Sequence, residues 1–299
     1  MDLRRLEHFL AVADHQGFTA ASRAVSVSQP ALSLAVKELE TELGAELFHR
    51  RGRRVVVTPA GAALIGPARQ ALRDVETGRA AVAAVTGLEA GSLAIASLPT
   101  LAADPLAGIV GRFRRDHPAV TVDLAAPEDS AGVLSMVRDG RRELGLTDSD
   151  RLPDGLVAHR LGEQALVLVL PPGIAPPSLS TRTGLKARVD MATLVDLPFV
   201  AAPPGTSTRR LLDEGLGGGS GSGPRVAVVT AQRDAILPLV LAGAGAALVP
   251  EATAEVAELL GAHVVRPDPP VTRTIVLIHL AGQLAPAAHR FVELATDVG

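Results

Sequence analysis

No cysteine occurs among the 299 residues, so the chain forms no disulfide, has no thiolate for catalysis and does not sense oxidants through a cysteine. Long hydrophobic runs are missing too. The apolar stretches are short and broken by glycine and proline, which argues against a membrane-spanning helix. The chain does not open on a charged segment followed by an apolar one, as an export signal would, and the expected compartment is the cytoplasm. Lysine occurs only at positions 37 and 186, so the basic charge is almost all arginine; with abundant Ala, Gly, Val and Pro, this reads as GC-rich coding and not as chemistry.

Catalytic signatures are also lacking. There is no GxSxG, SxxK or HExxH, and the eight histidines show no close ligand spacing, so no catalytic residue, metal or cofactor is expected. GLGGGSGSG at 215–223 follows a helical stretch and lacks the Gly-Lys-Ser/Thr ending of a phosphate loop; GAGAAL at 243–248 leads into a strand, the reverse of the dinucleotide-binding order. A net charge of −3 argues against wholesale coating of a polyanion, although residues 1–88 carry 11 basic against 9 acidic side chains.

What is present is concentrated in residues 18–61, FTAASRAVSVSQPALSLAVKELETELGAELFHRRGRRVVVTPAG. Leu32, Ala35, Val36, Leu39 and Leu43 recur at helical spacing and predict an inward face. Ser28 is placed to cap that helix, and Pro30 sits in its first turn, where a missing N–H costs little. The opposite face offers Gln29, Pro30, Ser33, Leu34 and Lys37, a mixture suited to base edges: glutamine pairs bidentately with adenine, and an apolar side chain meets a thymine methyl. Upstream, Phe18, Ala21 and Val25 give a short helix, Val25-Ser26-Val27 a turn, and Leu3, Leu6, Phe9, Leu10, Val12 and Ala13 a covering helix. An ordinary three-helix bundle would explain that spacing equally well. It does not explain Arg50, Arg51, Arg53 and Arg54 around Gly52, between Leu47-Phe48 and Val55-Val56-Val57, which predicts a hairpin with a cationic tip for phosphates or a narrow minor groove.

FTAAS, SQPALS, LE..LG..LF.R and the closing V.VTPAG stand in the order of the N-terminal domain of the LysR-type transcriptional regulators, which this stretch resembles strongly over about sixty residues. The resemblance implies a winged helix-turn-helix binding double-stranded promoter DNA, with Gln29, Pro30, Ser33 and Lys37 carried over as contact candidates and the capping Ser28 counted beside them in the DNA-binding set. The family often has an arginine after SQPALS; here Leu34 and Ala35 follow, so that contact is not carried over and operator preference is expected to differ.

Beyond the wing, Thr58-Pro59 starts a helix running to about residue 85, with Leu64, Ala68, Ala71, Val75, Gly78, Val82 and Val85 alternating four and three apart like a coiled-coil seam. A surface helix packed on its own domain is the alternative; the resemblance implies a dimerisation arm. From Gly91 the pattern becomes SLAIAS, VTVDLA, LGLTD, ALVLVL, FVAA, RVAVV, AALVP and RTIVLIHL separated by helix-length intervals, which predicts an α/β architecture with largely parallel sheets. By resemblance this part is a two-lobed effector domain, similar to periplasmic binding proteins, over residues 89–299. One lobe takes 89–162 and 268–299, the other 163–267, after a DNA-binding domain at 1–58 and a linker helix at 59–88.

Ligands of such sheets settle beyond strand ends. The candidates there are Ser97, Pro99, Thr100, Thr147, Asp148, Pro204, Gly205, Thr206, Ser207, Thr230 and Gln232. GTST at 205–208 opens a helix whose amides suit a carboxylate or phosphate, or else Thr206 or Ser207 merely caps it; Ser97 and Thr100 carry the same alternative. The expectation is therefore a LysR-type regulator answering to a small organic anion between the lobes, as a homodimer or homotetramer, with RNA polymerase as a further partner. The rivals are an α/β solute-binding or enzymatic domain with a helical appendage, and an architectural DNA-binding protein without effector.

Overall fold

A computed structural model of the chain describes residues 1–51, 54–85, 91–149, 151–174, 187–217 and 223–297. Gly52 and Arg53 of the expected wing tip lie outside the described residues, as do the side chains at 50, 51, 54, 76, 80, 81 and 83–85.

Helix α1 (Leu3–His15) is capped by Asp2, whose carboxylate accepts from the Arg5 amide at 2.9 Å. Helix α2 (Phe18–Ala24) follows, then a turn in which Ser26 takes a left-handed φ of 54°. Helix α3 (Gln29–Leu43) starts at Ser28, whose hydroxyl accepts from the Ala31 amide at 3.4 Å, and ends on Gly44 at φ 67°. Leu6, Phe9, Val12, Phe18, Ala21, Leu32, Val36 and Leu39 close one core with Leu47 and Phe48. Leu43, expected on the inward face, is 41% exposed: it lies one turn beyond Leu39, the last α3 residue of that core.

Strands β1 (Phe48–Arg51) and β2 (Arg54–Val57) form the antiparallel hairpin, with Phe48 opposite Val57 and Arg51 opposite Arg54. Glu40 of α3 fastens it by accepting from the amides of Leu47 (2.8 Å) and Phe48 (3.3 Å). Thr58 donates to the Glu46 carbonyl at 2.6 Å and accepts from the Gly61 amide at 3.0 Å, so it caps α4 (Pro59–Val85) as its sequence position predicts. A Cβ at Gly61 would collide with the Leu47 carbonyl oxygen.

The seam on α4 is divided. Leu64, Ala68 and Ala71 pack on the α1–α3 core, whereas Val82 is 67% exposed. Buried Arg69 pairs with Asp14 of α1 and donates to the Asp139 carbonyl at 3.0 Å, while Arg73 donates to the Gly140 carbonyl at 2.7 Å. The linker helix thereby ties the N-terminal helices to one turn of the C-terminal part.

That part begins with β3 (Gly91–Ser97), α5 (Pro99–Leu101), a π-type turn at Ala102–Leu106, α6 (Ala107–Asp116), β4 (Val120–Ala125), α7 (Ser130–Arg138) and β5 (Leu144–Thr147). Two long strands, β6 (Leu156–Leu170) and, much later, β12 (Val271–Leu280), connect it to a second unit. The second unit holds β7 (Arg188–Asp190), β8 (Phe199–Ala201), α8 (Ser207–Gly217), β9 (Val226–Val229), α9 (Ile236–Leu241), β10 (Ala247–Pro250), α10 (Ala254–Leu259) and β11 (His263–Asp268). Helix α11 (Pro286–Thr296) returns to the first unit, where Phe291 packs against Phe113.

The main sheet runs β4-β3-β5-β12-β6-β11-β7, with β10 also on β6. Pairs β3–β4 and β3–β5 are parallel, but β12 is antiparallel to β5 and β6, and β10 and β11 are antiparallel to β6. The sheet is therefore mixed where a largely parallel one was expected. The cause is the return path: β6 carries the chain out of the first unit and β12 carries it back alongside. One apolar core gathers residues of β3, β5, α6, α7, β12 and α11; two others lie between residues 166 and 265. Among the described residues no helix is long and apolar enough to cross a membrane.

Candidate nucleic-acid interface and ligand cleft

On α3, Gln29, Pro30, Leu34 and Lys37 are exposed and Ser33 is half-buried, all on the side away from the core. Leu34 leaves 58% of its surface in solvent, on the wall of the groove that the hairpin closes. Thr19 of α2 donates to Gln29 Oε1 at 3.1 Å, which orients the amide. Ser28 is engaged as the helix cap. A groove of about 930 Å³ runs between this face and the hairpin, with Ser33, Leu34 and Lys37 on one wall and Phe48 and His49 on the other. Strand β1 continues from His49 into Arg50 and Arg51, so helix and hairpin border one groove. His49 escaped selection from the sequence; its position directly before the arginines was the available signal.

The second site lies where the two C-terminal units meet, at Arg273 of β12. Its guanidinium is buried, with the residue 4% exposed. Nε donates to Gln164 Oε1 on β6 at 2.9 Å, Nη2 to Thr100 Oγ1 of α5 at 2.6 Å, and Nη1 to Ser207 Oγ of α8 at 3.0 Å. All three acceptors are neutral, and no described carboxylate lies within 4.0 Å of this cation. Burial pushes its pKa down to about 10, against the more distant charges of Asp148 and Asp104. Gln164 is itself aimed by donating to the Asp104 carbonyl (2.7 Å) and Oδ2 (2.9 Å).

Asp148, just after β5, is the neighbouring anion, with a side chain 3% exposed. It accepts from Ser130 Oγ of α7 at 2.6 Å, from Ser207 Oγ, and from Arg210 Nη2 at 3.1 Å. Burial pushes its carboxyl up, but the bonds from Ser130 and Ser207, with the charges of Arg273 and Arg210, outweigh that and hold it below the ordinary carboxylate range. Asp148 and Ser130 belong to the first unit, Ser207 and Arg210 to the second. A further ion pair, Arg233 Nη2 to Glu128 Oε2 at 2.8 Å, also joins the two.

Of the residues selected from sequence, Thr100, Asp148 and Ser207 meet in this cluster. The others do not. Ser97 is fully buried and donates to the Leu98 carbonyl; buried Thr147 accepts from the Ser149 amide; Thr206 donates to the Pro203 carbonyl at 2.8 Å. Thr230 accepts from the Gln232 amide at 3.1 Å, Pro99 opens α5, and Pro204 and Gly205 form the turn before α8. Arg273, Gln164, Ser130 and Arg210 had not been selected. Among the described residues no group of three His, Cys, Asp or Glu side chains is arranged to hold a metal.

Comparison with known proteins bears on both sites. A family model described as "Bacterial regulatory helix-turn-helix protein, lysR family" matches residues 3–62, and one described as "LysR substrate binding domain" matches residues 86–299. The HTH-type transcriptional activator IlvY of Salmonella typhimurium is 30% identical over 255 residues, covering 85% of this chain and 84% of its own. A full-length OxyR variant from Pseudomonas aeruginosa superposes with a TM-score of 0.76 at 20% identity, over 100% of this chain and 94% of that one. Full-length CbnR in complex with its target DNA gives a TM-score of 0.55 at 25% identity, over 100% and 99%.

Proposed function

The chain belongs to the LysR family of bacterial transcriptional regulators, with a helix-turn-helix DNA-binding domain and a substrate-binding domain, and from that premise we propose which of its residues do the work. Residues 1–58 read the operator, 59–88 form the linker and dimerisation helix, and 89–299 bind the effector between a lobe of 89–162 plus 268–299 and a lobe of 163–267. Gln29, Pro30, Ser33 and Leu34 face base edges; Lys37, Arg50, Arg51, Arg53 and Arg54 face phosphates, with Ser28 holding the helix start. The protein acts in the cytoplasm as a homodimer or homotetramer and carries no catalytic activity. Full-length CbnR, whose fold superposes over the whole of this chain, was solved on its target DNA, which supports the DNA-reading role.

The effector is a small organic anion. One observation carries this: Arg273 is a buried guanidinium with only neutral partners, drawn from both units. A buried cation with no carboxylate in direct contact is costly, and an anion arriving at Nη1, which keeps a hydrogen to spare while both on Nη2 go to Thr100 and Gln164, lowers that cost. Because the seat takes groups from both lobes, an anion there binds one lobe arrangement better than another, which is what a shift of conformation requires. Arg69, bridging Asp14 and the Asp139 carbonyl, supplies a contact through which the first lobe feels the DNA-binding helices.

The test is anisotropy with a duplex from the intergenic segment upstream of the gene. Gln29→Ala, Ser33→Ala and Arg53→Ala combined should abolish the preference for that duplex over a scrambled one. Unchanged preference would overturn the contact assignment. Metabolite extracts that shift wild-type affinity should leave Arg273→Gln unmoved; a retained shift would place the effector elsewhere.

A further inference from the structure

The cluster around Arg273 contains its own anion. We propose that Asp148 is an internal competitor for the effector: it holds, in the ligand-free protein, the donors an effector anion needs, so that binding requires its release from Ser207 and thereby breaks a bond between the two lobes. This rests on the assignment of the effector seat to Arg273.

The hydrogen inventory leads there. Ser207 has one hydroxyl hydrogen, and it is given to Asp148; its lone pairs face Arg273 Nη1. An anion on Arg273 meets those lone pairs, which repel it. Binding becomes favourable once Ser207 rotates its hydrogen toward the incoming oxygen, and that rotation ends the Asp148–Ser207 bond. Asp148 then keeps Ser130 in its own lobe and faces a second negative charge at close range. Arg210 Nη2, now bonded to Asp148, is the next donor for which the two anions compete; its Nη1 is occupied by Glu214 at 3.2 Å.

Two features argue that Asp148 resists the ligand's charge and does not receive a cationic group from it. Its two oxygens already accept three donors, from Ser130, Ser207 and Arg210, leaving little acceptor capacity. Its only described contacts across the lobe boundary are to Ser207 and Arg210, which flank the same seat. The arrangement selects for compact oxyanions with enough charge to displace a carboxylate, and it leaves weakly basic or neutral analogues of the same shape unbound. The signal and the selectivity thus share one residue.

The experiment titrates the full chain with pyruvate and, separately, inorganic phosphate at low ionic strength, following binding by calorimetry. Asp148→Asn should lower the half-saturating concentration about tenfold or more relative to wild type, by removing a like charge near the site. At about pH 8 the gain should be larger for phosphate, mostly a dianion there, than for pyruvate with one negative charge. A purely structural role would not scale with ligand charge. Asp148→Ser, also neutral and smaller, carries the same expectation should the amide disturb Arg210. Adding Arg273→Gln to either variant should remove the binding. Equal saturation of wild type and both variants, dependent on Arg273, overturns the competitor and leaves the seat standing. Weaker binding by the variants overturns it in favour of Asp148 holding the ligand. No binding by either variant overturns it as well, and binding that survives Arg273→Gln overturns the seat along with it.

Discussion

Replacing Arg273 by methionine separates a cation waiting for an anion from one that braces the fold. Methionine keeps the unbranched stem and removes the charge. Burial lowers the arginine's pKa well below its ordinary range, to about 10, and at about 1.36 kcal/mol per unit this puts the cost of the charged form at roughly 3 kcal/mol. Methionine relieves that cost. Against it, Gln164 Oε1 and Thr100 Oγ1 lose their donor, at about 1–3 kcal/mol for buried acceptors left unmade. Ser207 keeps Asp148. The two effects are of similar size, so the variant should unfold within about 2 kcal/mol of wild type, a melting shift of roughly 6 °C or less for a domain of this size. Losing one partner of a direct buried ion pair would instead cost about 3–5 kcal/mol. Because the chain has no tryptophan or tyrosine, unfolding in urea and by heat is best followed by far-ultraviolet circular dichroism. A loss of about 4 kcal/mol or more would refute the reasoning, since it would mean that Arg273 is compensated in place; so would an unaltered anion response.

Three further outcomes follow from other contacts. Leu34→Ala should leave stability within about 0.5 kcal/mol, as an exposed position does, yet weaken operator binding about fivefold if its methyls meet a thymine; unchanged anisotropy would remove it from the interface. Gly61→Ala drives a methyl into the Leu47 carbonyl and to 2.8 Å from Val57 Cγ1, so the first turn of α4 must shift off the hairpin, at about 2 kcal/mol by analogy with overpacked cores; wild-type melting and wild-type DNA affinity together would contradict this. His159 and His279 face each other with Nε2 atoms 3.0 Å apart, and His279 Nδ1 lies 2.7 Å from the Leu280 carbonyl. Burial, with the charge of His279, pulls the His159 pKa below its ordinary 6.5, and His289 and Arg290 line the same cavity. The depressed value means the unfolded chain binds the proton more readily, so the stabilisation is complete above pH 6.5 and is lost as pH falls beneath it. His159→Gln, which still donates a hydrogen bond, should flatten melting temperature between about pH 7.5 and 5.5; an unchanged slope would exonerate the pair.

The N-terminal domain was readable because its information is local. Helix period, the Ser28 and Thr58 caps and the Phe48–Val57 hairpin each depend on residues within a few positions of one another. Leu43 was misassigned at the point where periodicity outlasts the core it serves. The α4 seam shows a different limit: the spacing of Leu64, Ala68 and Ala71 announces an apolar stripe, but a stripe does not name its partner, and here it is the chain's own α1–α3 core. Around Arg273, Thr100, Asp148 and Ser207 could be selected because hydroxyls and carboxylates at strand ends are conspicuous. Arg273 and Gln164 could not be selected that way, since they sit inside apolar strands, 109 positions apart in sequence, and meet only because β12 returns antiparallel to β6 with Arg273 opposite Gln164. A signal did exist at both positions. Gln164 shares a strand face with Leu166, Leu168 and Leu170, and Arg273 begins the alternation that continues through Ile275 and Leu277, all buried. A cation or an amide at the start of an otherwise apolar face is expensive unless something answers it. Each of these two answers the other. What remains of the arginine's charge, with no described carboxylate in direct contact, is what the proposed anion seat rests on.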